Sequence, residues 1–536
     1  MFRENRRLKL TTLFTMCFAL FMAMLDNTVV NVALPTIQRD FGSGVSGLQW
    51  IITGYTLFFA SLMLTGGTLG DLYGRKRLFL GGLAVFTAGS LLCGLAPGLH
   101  WLIAGRAIQG VGAAALLPGT LSILIQTFPD PSERAQAIGL WAGVSGLALA
   151  AGPIIGGLLV DSLGWQSVFF VNVPIGLVAF AVAMRTVRES KDPQGRTLDL
   201  AGQVLAIVSL GSIVYALIEA NNLGWTSPAI LTLFAVGFAT QALFLWVEAH
   251  SPSPMLPLRF FRNPTFAAGA TVAGLISFGM FGIFFFLTLF WQEIQGLTAL
   301  QMGLRTLPLT GAIIVTAPLA GQIAGRYGSR LPMTVGMSLA AAGILLLERL
   351  APTTPYSTLW WNLLMLGVGM GLVMAPMTSA VTSTVPRARA GMASGTTNAT
   401  REVGGVFGIA LLGAIVTHWF AVDLSNKVAA LPLPAGVKQS LVTLASHGSG
   451  TTAKSLPTGA RLDPVAVHHM IDTSFVYGIH VALLVSAAAL IVGALLSFTF
   501  IHRGSVAHEE VAVSSATIEG QPIAAVRGAE SEGEAA

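Results

Sequence analysis

The chain has 536 residues, of which 54% are hydrophobic and only 10% are charged, and its formal net charge is +5. Soluble globular domains carry about 25% charged residues, so this composition excludes an ordinary soluble protein. The mean hydropathy of +0.74 indicates a chain whose natural solvent is a lipid bilayer. The two cysteines, Cys17 and Cys93, lie in apolar runs without metal-ligand spacing and are interpreted as packing residues.

Apolar runs of roughly 18 residues or more recur along the whole chain, and each is long enough to cross a bilayer core of about 30 Å. The basic segment before the first run resembles the start of a signal peptide, but we expect a retained first helix because no convincing cleavage site follows. The runs predict fourteen membrane helices, at 11–34, 48–70, 79–97, 101–126, 136–160, 166–185, 200–220, 229–248, 266–290, 303–324, 332–350, 358–384, 396–418 and 474–500.

Basic residues are distributed unevenly between the two sides of these helices. If the N-terminus is placed in the cytoplasm, the cytoplasmic segments hold nearly all of the loop Lys and Arg residues, and the short external loops hold only Arg39 and Arg349. Cytoplasmic loops carry such an excess, so both termini are predicted to be cytoplasmic. Membrane topology therefore explains the net positive charge, and no nucleic-acid partner is expected.

An internal repeat is indicated by matching features at an interval of about 255 residues. The interval spans eight helices, so a six-helix unit requires two further helices between the halves, and parallel six-helix repeats are a recurring transporter plan. The matching pairs are Gly74 and Gly328, Arg134 and Arg389, and Pro118 and Pro376.

The predicted domain organisation follows from this repeat. A cytoplasmic N-terminal segment precedes two six-helix halves, which flank the inserted helices, and a tail rich in Ala, Glu and Gly follows and is predicted to be disordered. An external loop at 419–473 belongs to the second half. The respective ranges are 1–10 for the segment, 11–199 and 251–500 for the halves, 200–250 for the insertion with its linker, and 501–536 for the tail.

Several motifs together resemble the major facilitator superfamily, specifically its fourteen-helix drug:proton antiporter branch, over roughly residues 11–500. LDNTVVNVALPTI resembles the helix 1 motif, GGTLGDLYGRKR the loop motif between helices 2 and 3, and GRAIQGVGAAALLP the helix 4 motif. GLALAAGPIIGG resembles the helix 5 antiporter motif, and GWQSVFFVNVPIG the stretch entering helix 6. The resemblance implies an all-α integral membrane protein that exports lipophilic, cationic or amphipathic drugs or antibiotics by alternating access.

Asp26 lies in the first apolar run, where a charged side chain costs roughly 3 kcal/mol or more and normally faces a cavity or a partner. It lies roughly 22 Å from the cytoplasmic face, and Arg106 lies at a similar depth in helix 4, which the resemblance places beside the same cavity. We predict a proton-linked site in which Arg106 tunes the acid, and in which proton and cationic substrate compete for the carboxylate. A structural ion pair that fixes the two helices is the alternative.

Arg401 and Glu402 lie about two turns into helix 13. Adjacent residues point roughly 100° apart on a helix, so we expect different partners for the two side chains. Glu402 is a candidate second acidic site, with an interfacial acid satisfied by loop groups as the alternative. Glu219, near the external end of helix 7, is a weaker candidate.

The turn between helices 2 and 3 contains Gly67, Asp71, Gly74, Arg75 and Lys76. The resemblance implies a cytoplasmic gate, in which opposing charges latch this face shut and release it as the halves rock. A carboxylate near the following helix N-terminus is stabilised by the helix dipole. Topology and solvation of a loop are the alternative explanation of these charges.

Helix 5 contains Gly152, Pro153, Gly156 and Gly157. Small residues let neighbouring helices approach closely, and proline bends the helix. General helix packing explains such glycine spacing, but the proline and the resemblance favour a hinge between the halves that is sealed against proton leak.

No nucleophile, metal cluster or phosphate loop is found in the sequence, so neither an enzyme nor a bound metal is expected, and the proton gradient replaces a cofactor. The expected partners are a small-molecule substrate, protons and the lipid bilayer, for a monomeric, multi-pass protein of the cell membrane. One alternative is a dedicated symporter or exporter of one metabolite or lipid. A non-transporting receptor or scaffold is the other, and it does not explain an acid and a base at matched depth.

Overall fold

The computed structural model describes residues 2–191, 198–251, 254–386, 390–431, 438 and 464–501. Fourteen helices in this part of the chain are long and apolar enough to cross a membrane, which confirms the predicted number. These helices are α1 (Phe2–Phe41), α2 (Val45–Tyr73), α3 (Arg75–Gly94), α4 (Leu99–Thr127), α5 (Pro131–Leu163), α6 (Asn172–Thr186), α7 (Leu200–Leu223), α8 (Pro228–His250), α9 (Pro264–Leu289), α10 (Leu307–Tyr327), α11 (Arg330–Leu346), α12 (Tyr356–Thr382), α13 (Ala390–Ala429) and α14 (Pro464–Phe500).

Short helical elements join some of these helices. A single turn precedes α6, a π-helical turn continues α9, and a seven-residue helix precedes α10. Two 3₁₀ turns precede α9 and follow α11. In the order given, these elements are Ser167–Phe170, Phe290–Ile294, Ala299–Arg305, Leu258–Arg262 and Leu347–Arg349.

Local sequence explains where several helices begin and end. Asp130, Ser227 and Asn263 each cap the first turn of a helix through side-chain oxygens, and each is followed by proline, whose missing N–H is not needed at the first helical position. Gly74 and Gly328 end α2 and α10 with φ values of +118° and +80°, which residues with a side chain rarely adopt. These two glycines are the first matched pair of the sequence repeat.

The two six-helix halves pack in the same way. In the N half (α1–α6), α2 and α3 pack on α4 and α1 packs on α5; in the C half (α9–α14), α10 and α11 pack on α12 and α9 packs on α13. Pro118 and Pro376 lie inside the equivalent helices α4 and α12. The central hairpin (α7 and α8) lies between the two halves in the chain, and its α7 contacts α2 of one half and α13 of the other.

Several helices are longer than the apolar runs that predicted them. The first begins at Phe2, and α13 and α14 extend to Ala429 and from Pro464, into the segment predicted as the loop 419–473. Hydropathy detects only the part of a helix that is apolar on all sides, so polar helical extensions are missed. Arg389, most of the loop between α13 and α14, and the tail after residue 501 lie outside the described residues.

The two ends of the bundle differ. We call the end with Lys9 and the α2–α3 turn the basic end, and the end with the α1–α2 turn and the start of α10 the far end. At the far end the halves are joined, because the Asp161 carboxylate of α5 accepts hydrogen bonds from the amides of Ala299 and Leu300 at 3.2 and 3.0 Å. Gln292 also donates to the carbonyl oxygen of Val32 at 2.9 Å.

One face of helix α5 is packed at the far end and open towards the basic end. Gly157, near the far end, packs directly against the backbone of Leu300. Towards the basic end, a Cβ atom added at Gly139, Gly143 or Gly146 would meet no atom within 4 Å. The halves are therefore closed against each other along α5 at the far end and lack this contact towards the basic end.

Candidate functional site

Asp26 of α1 and Arg106 of α4 form an ion pair inside the N half. The Arg106 Nη1 atom lies 2.5 Å from the Asp26 Oδ2 atom, and the two residues are 1% and 0% exposed. The sequence indicated that Asp26 and Arg106 lie at a similar depth, and in the structure they are in direct contact. A charge-assisted bond of this length between fully buried groups is strong in isolation, and removal of either partner leaves the other charge buried.

The other Asp26 oxygen is also fully engaged. Its Oδ1 atom accepts hydrogen bonds from Asn172 Nδ2 at 2.7 Å and from Gln109 Nε2 at 3.2 Å. Asn172 donates in addition to the Ser90 hydroxyl oxygen at 3.0 Å. All of these side chains donate hydrogen bonds to the Asp26 carboxyl group, and an ionised carboxylate is the form that only accepts.

Arg106 is held by three further contacts. Its Nε atom donates to the Ile51 carbonyl oxygen at 3.1 Å, and its Nη1 atom donates to Gln109 Oε1 at 2.9 Å. The guanidinium carbon lies 4.2 Å from the centre of the Tyr55 ring, within the range of a cation–π contact. The planar, forked guanidinium is needed to make all of these contacts at once, and a lysine ammonium lacks that geometry.

Sequence reasoning missed the side chains around this pair. Gln109 lies three residues after Arg106 on one helix, so the i, i+3 spacing gave a signal for it. Asn172 lies within the motif that enters α6, but nothing in the sequence brings Asn172, Ser90 or Tyr55 to Asp26. Asn172 joins α6 to α1 and α3, and the Tyr55 ring of α2 packs against Arg106 of α4. The Asp26 site is built from the N half, and in this conformation it is closed to a substrate.

Glu402 of α13 is a second buried acid with a different environment. It is 4% exposed, and its Oε2 atom has no hydrogen-bond partner among the described residues. It shares a helix face with Ala399, which packs in the N-half core, and with Val406, which packs against the central hairpin. Glu402 therefore lies where the C half meets the rest of the bundle.

Arg401 does not have the separate partner that the sequence predicted. Its Nη2 atom lies 3.8 Å from Glu402 Oε1, and within the described part of the chain this is the ion pair that each of the two residues forms. The long arginine side chain bends along the helix, so the 100° difference in direction does not keep the two groups apart. At 3.8 Å the contact is longer than a hydrogen bond and leaves Glu402 weakly compensated.

Glu219 of α7 is held in a polar cluster near the far end. Its Oε1 atom accepts a hydrogen bond from Trp50 Nε1 at 2.9 Å, and its Oε2 atom accepts one from Asn222 Nδ2 at 2.8 Å. Asn222 also donates to the Ser46 hydroxyl oxygen at 3.1 Å. These contacts tie α7 to α2, so Glu219 is placed as a link between the central hairpin and the N half.

The α2–α3 turn has the charges of the predicted gate at its centre. The Asp71 Oδ1 atom accepts hydrogen bonds from Arg75 Nε and Nη2 at 3.0 and 2.7 Å. Glu189 also lies at the N-terminus of α3, where it accepts a hydrogen bond from the Lys76 amide at 3.1 Å. Glu189 also lies against Gly74, where a Cβ atom would be 2.7 Å from its Oε1 atom. Sequence gave no signal for this long-range cap.

Two other members of the predicted gate are less constrained. Gly67 lies one helical turn before Asp71, and a Cβ atom there would only reach ordinary contact with Pro118 at 3.9 Å. The Lys76 ammonium group donates to the Met184 carbonyl oxygen at 2.7 Å, near the end of α6. The described contacts of Lys76 thus fix the turn within the N half.

The predicted hinge residues of α5 lie between the halves. Gly152 packs against the side chain of Thr28 and Gly156 against Val29, both on α1. On the opposite side, Gly157 packs against Leu300, and the Pro153 carbonyl oxygen contacts Gly303. The small surface of α5 thus allows close approach to both the N half and the C half, and a larger residue would collide with backbone.

Comparison with known proteins identifies the family to which this architecture belongs. The model of the Major Facilitator Superfamily matches residues 16–409. The chain is 36% identical over 502 residues to the Multidrug resistance protein Stp of Mycobacterium tuberculosis (strain CDC 1551 / Oshkosh), with 93% of each chain covered. It is 34% identical to the Tetracenomycin C resistance and export protein of Streptomyces glaucescens, with 91% of each chain covered.

Solved structures share the fold at lower identity. A bacterial homolog to the human lysosomal transporter Spinster, in an inward-facing and occupied conformation, covers 92% of this chain and 98% of its own, with a TM-score of 0.63 and 16% identity. The peptide transporter POT gives a TM-score of 0.58 at 17% identity, with 92% of this chain and 96% of its own covered. The chain therefore belongs to the Major Facilitator Superfamily and is a multi-pass membrane transport protein of the cell membrane.

Proposed function

We propose that this transporter is a proton-coupled antiporter that exports lipophilic, cationic or amphipathic drugs or antibiotics. Its similarity to multidrug and antibiotic resistance proteins supports the substrate class. The buried pair of Asp26 and Arg106 is the observation that carries the proton coupling. An ionisable pair inside a membrane protein is expensive, so it is expected to have a function in transport.

The orientation follows from the loop charges. The basic end lies in the cytoplasm, since Lys and Arg accumulate in cytoplasmic loops. Contact between Asp161 and the amides of Ala299 and Leu300 then closes the external side. Towards the cytoplasm, the α5 face that carries Gly139, Gly143 and Gly146 is open. This conformation is the one that receives a compound from the cytoplasm.

Proton binding at Asp26 is linked to conformation by electrostatics. A proton on Asp26 removes the negative charge that compensates Arg106, and Arg106 then stays charged and buried among neutral groups. That state is favourable only if the surrounding helices rearrange and Arg106 finds other partners. In the conformation described here, three donating side chains favour the ionised acid, which corresponds to the state after proton release to the cytoplasm.

We assign Glu402 as the group that binds the cationic substrate. One of its oxygens lacks a partner, and its helix face lies between the C half and the N half. A cation and a proton compensate the same carboxylate in alternation, so each displaces the other at Glu402. The direct competition expected at Asp26 is assigned to Glu402 instead, because Asp26 is enclosed within the N half.

The gate and hinge act on the movement of the halves. The Asp71 and Arg75 pair keeps charge at the cytoplasmic mouth, where it latches the halves when they meet on that side. Pro153 and Gly157 form the surface on which α5 turns against the short helix before α10. Dense packing at this surface excludes water and thereby limits proton leak.

The energy of the proton gradient is sufficient for such export. One charge that crosses 100 mV releases about 2.3 kcal/mol, which sustains a gradient of about 50-fold for a neutral compound at about 1.36 kcal/mol per tenfold. Exchange of one proton for one monovalent cation moves no net charge. A monovalent cation driven by voltage therefore requires two protons, and Glu402 supplies the second site.

Everted vesicles test the proposal directly. Energised vesicles receive a panel of lipophilic cations and neutral drugs while a fluorescent probe follows the pH gradient. Asp26→Asn is compared with wild type and with Asp40→Asn, a control with the same change on the same helix at a site where, within the described residues, the carboxylate accepts from Trp165 Nε1. We expect some compounds to dissipate the gradient in wild type and the control, but not in Asp26→Asn.

Two results would contradict the proposal. If Asp26→Asn exchanges protons for drugs as wild type does, the Asp26 and Arg106 pair is structural. If no compound dissipates the gradient in wild type while the protein is folded and inserted, the drug-export assignment fails and a dedicated carrier of one metabolite or lipid replaces it.

A further inference from the structure

A second pair of acidic side chains lies at the basic end of the central hairpin. Asp199 is the N-cap of α7, and Glu248 lies near the C-terminus of α8. The Asp199 Oδ1 atom accepts a hydrogen bond from the Gly202 amide at 2.7 Å, and Glu248 Oε2 accepts one from the Leu256 amide at 2.9 Å. Each carboxyl group therefore uses one oxygen to hold backbone, and Leu256 belongs to the segment that leads into the C half.

The remaining oxygens of this pair point to the same place. Glu248 Oε1 and Asp199 Oδ2 lie 2.7 and 2.9 Å from the position that a Cβ atom on Gly202 would occupy. Both atoms are buried, and neither has a hydrogen-bond partner among the residues that the structure describes. Glu248 as a whole is 2% exposed. Two buried acceptors thus lie close to one position, and neither makes a hydrogen bond to a donor in the described part of the chain.

The surroundings of the pair do not compensate two negative charges. On α2, the Ser61 carbonyl oxygen accepts from Gln203 Nε2 at 3.0 Å and the Thr65 hydroxyl group donates to Gln203 Oε1, and both residues are neutral. Within the described residues, Asp199 is the charged group that acts on Glu248, and the backbone amides of Leu256 and Met255 are the donors that act on it. Like charges disfavour joint ionisation, and buried polar atoms in native proteins are nearly always satisfied.

We propose that Asp199 and Glu248 bind one proton between them and form a proton site separate from Asp26. A proton on Glu248 Oε1 turns that atom into a donor to Asp199 Oδ2, so one proton satisfies both oxygens and leaves the pair with a single negative charge. When the proton leaves, two carboxylates face each other across Gly202. Their repulsion opposes the stronger hydrogen bond that an ionised Glu248 makes to the Leu256 amide, so the site links pH at the basic end to the connection between the hairpin and the C half.

Infrared spectroscopy of the purified full-length protein tests for the proton. The carbonyl stretch of a protonated carboxyl group is separate from the carboxylate bands, and it is followed from acid to alkaline pH in wild type, Glu248→Gln and Asp199→Asn. We expect both substitutions to remove one protonated carboxyl group at neutral pH, because an amide then donates to the remaining carboxylate. Asp130→Asn is the matched control, since Asp130 caps α5 without a facing acid, and it should leave the band unchanged.

Thermal unfolding gives a second readout that does not depend on transport. The folded state keeps a proton that the unfolded chain releases at neutral pH, so this contribution to stability is lost as the pH rises. Glu248→Gln should therefore gain melting temperature relative to wild type as the pH rises, and Asp199→Asn, which retains an N-cap, should do the same. Gly202→Ala, which places a methyl group between the two oxygens, should lower the melting temperature.

The proposal is overturned by either of two results. One is a carboxyl band and a pH profile of unfolding that are the same in wild type and both amide variants. The other is stabilisation of wild type by NaCl or MgCl₂ at constant ionic strength and pH that disappears in Glu248→Gln, which would assign the pair to a cation instead of a proton. Loss of drug export in Asp26→Asn has no bearing on these measurements, so the two proposals fail separately.

Discussion

Two buried acids of the membrane region, Asp26 and Glu402, have opposite environments. Asp26 is in contact with Arg106 and also accepts hydrogen bonds from Asn172 and Gln109, all within the N half. Glu402 has an arginine 3.8 Å away and an oxygen without a partner in the described part of the chain. Both residues are almost fully buried, so burial alone does not explain the difference.

The difference lies in how the negative charge of each acid is compensated. The N half compensates its own acid, and rigid-body movement of the halves leaves the pair of Asp26 and Arg106 intact unless Asp26 is protonated. Glu402 lies at the boundary between halves, where compensation depends on the conformation or on a bound cation. An uncompensated buried carboxylate is costly, so Glu402 gains most from a ligand that supplies positive charge.

The largest effect is expected from Arg106→Ala, which removes the partner of a fully buried acid. Loss of one member of a buried pair costs about 3–5 kcal/mol, so we expect a strongly lowered melting temperature together with no drug export. Thermal unfolding of the purified protein and efflux from cells measure the two outcomes.

The double variant Asp26→Asn/Arg106→Gln separates stability from coupling. It removes both charges and keeps polar groups of similar size, so most of the lost stability should return while proton-dependent export stays absent. Export at the wild-type rate by this double variant would assign a purely structural role to the pair.

The next largest effect is expected from Glu402→Gln, which removes the carboxylate assigned to the cationic substrate. A hydrogen bond to a charged group contributes about 1.5–3 kcal/mol, so export of lipophilic cations should fall by about 10- to 100-fold at about 1.4 kcal/mol per tenfold. Neutral amphipathic compounds should be exported at nearly the wild-type rate, and the melting temperature should not fall, because an orphaned buried charge is removed. Uptake of a cationic and a neutral drug into the same everted vesicles measures the ratio, and equal losses for both would contradict the assignment.

The contrast between the two acids was only partly accessible from sequence. The fourteen helices and the depth of Asp26 and Arg106 follow from hydropathy and helical rise, because both are local properties. The partners Asn172 and Tyr55 depend on how four helices pack, and no spacing along the chain encodes that. Glu189 at the N-terminus of α3 was missed for the same reason, since it lies more than 100 residues away along the chain from the amide that it accepts.

A smaller effect is expected at the far end from Asp161→Ala, which tests whether the halves are held closed there. Loss of an acceptor for two amides removes about 1–3 kcal/mol, which corresponds to a shift of about 5- to 150-fold towards the conformation open at the far end. Spin labels on cysteines introduced at Leu163 and Leu304, both exposed, report the distance between the halves. The two native cysteines are buried and free, which limits background labelling.

Asp161→Asn is the graded control for this prediction. Its single carbonyl oxygen accepts from one of the two amides, so the distance distribution should lie between those of wild type and Asp161→Ala. If all three distributions coincide, the packing of Gly157 against Leu300 closes the far end without help from Asp161.

The smallest effect is expected from Glu219→Gln, because this acid already has donors on both oxygens and lies at a link between α7 and α2. The glutamine carbonyl oxygen still accepts from Trp50, and the partly exposed Asn222 turns its amide to meet the new NH₂ group, so the cost should be about 1 kcal/mol or less. The number of protons exchanged per drug, measured in the same vesicles, should equal the wild-type value. Trp50→Phe, which leaves the Glu219 Oε1 atom without its donor, should destabilise the protein more than Glu219→Gln does. A lower proton count in Glu219→Gln would instead make Glu219 a proton carrier, and the contrast between one compensated and one uncompensated acid would no longer account for the coupling.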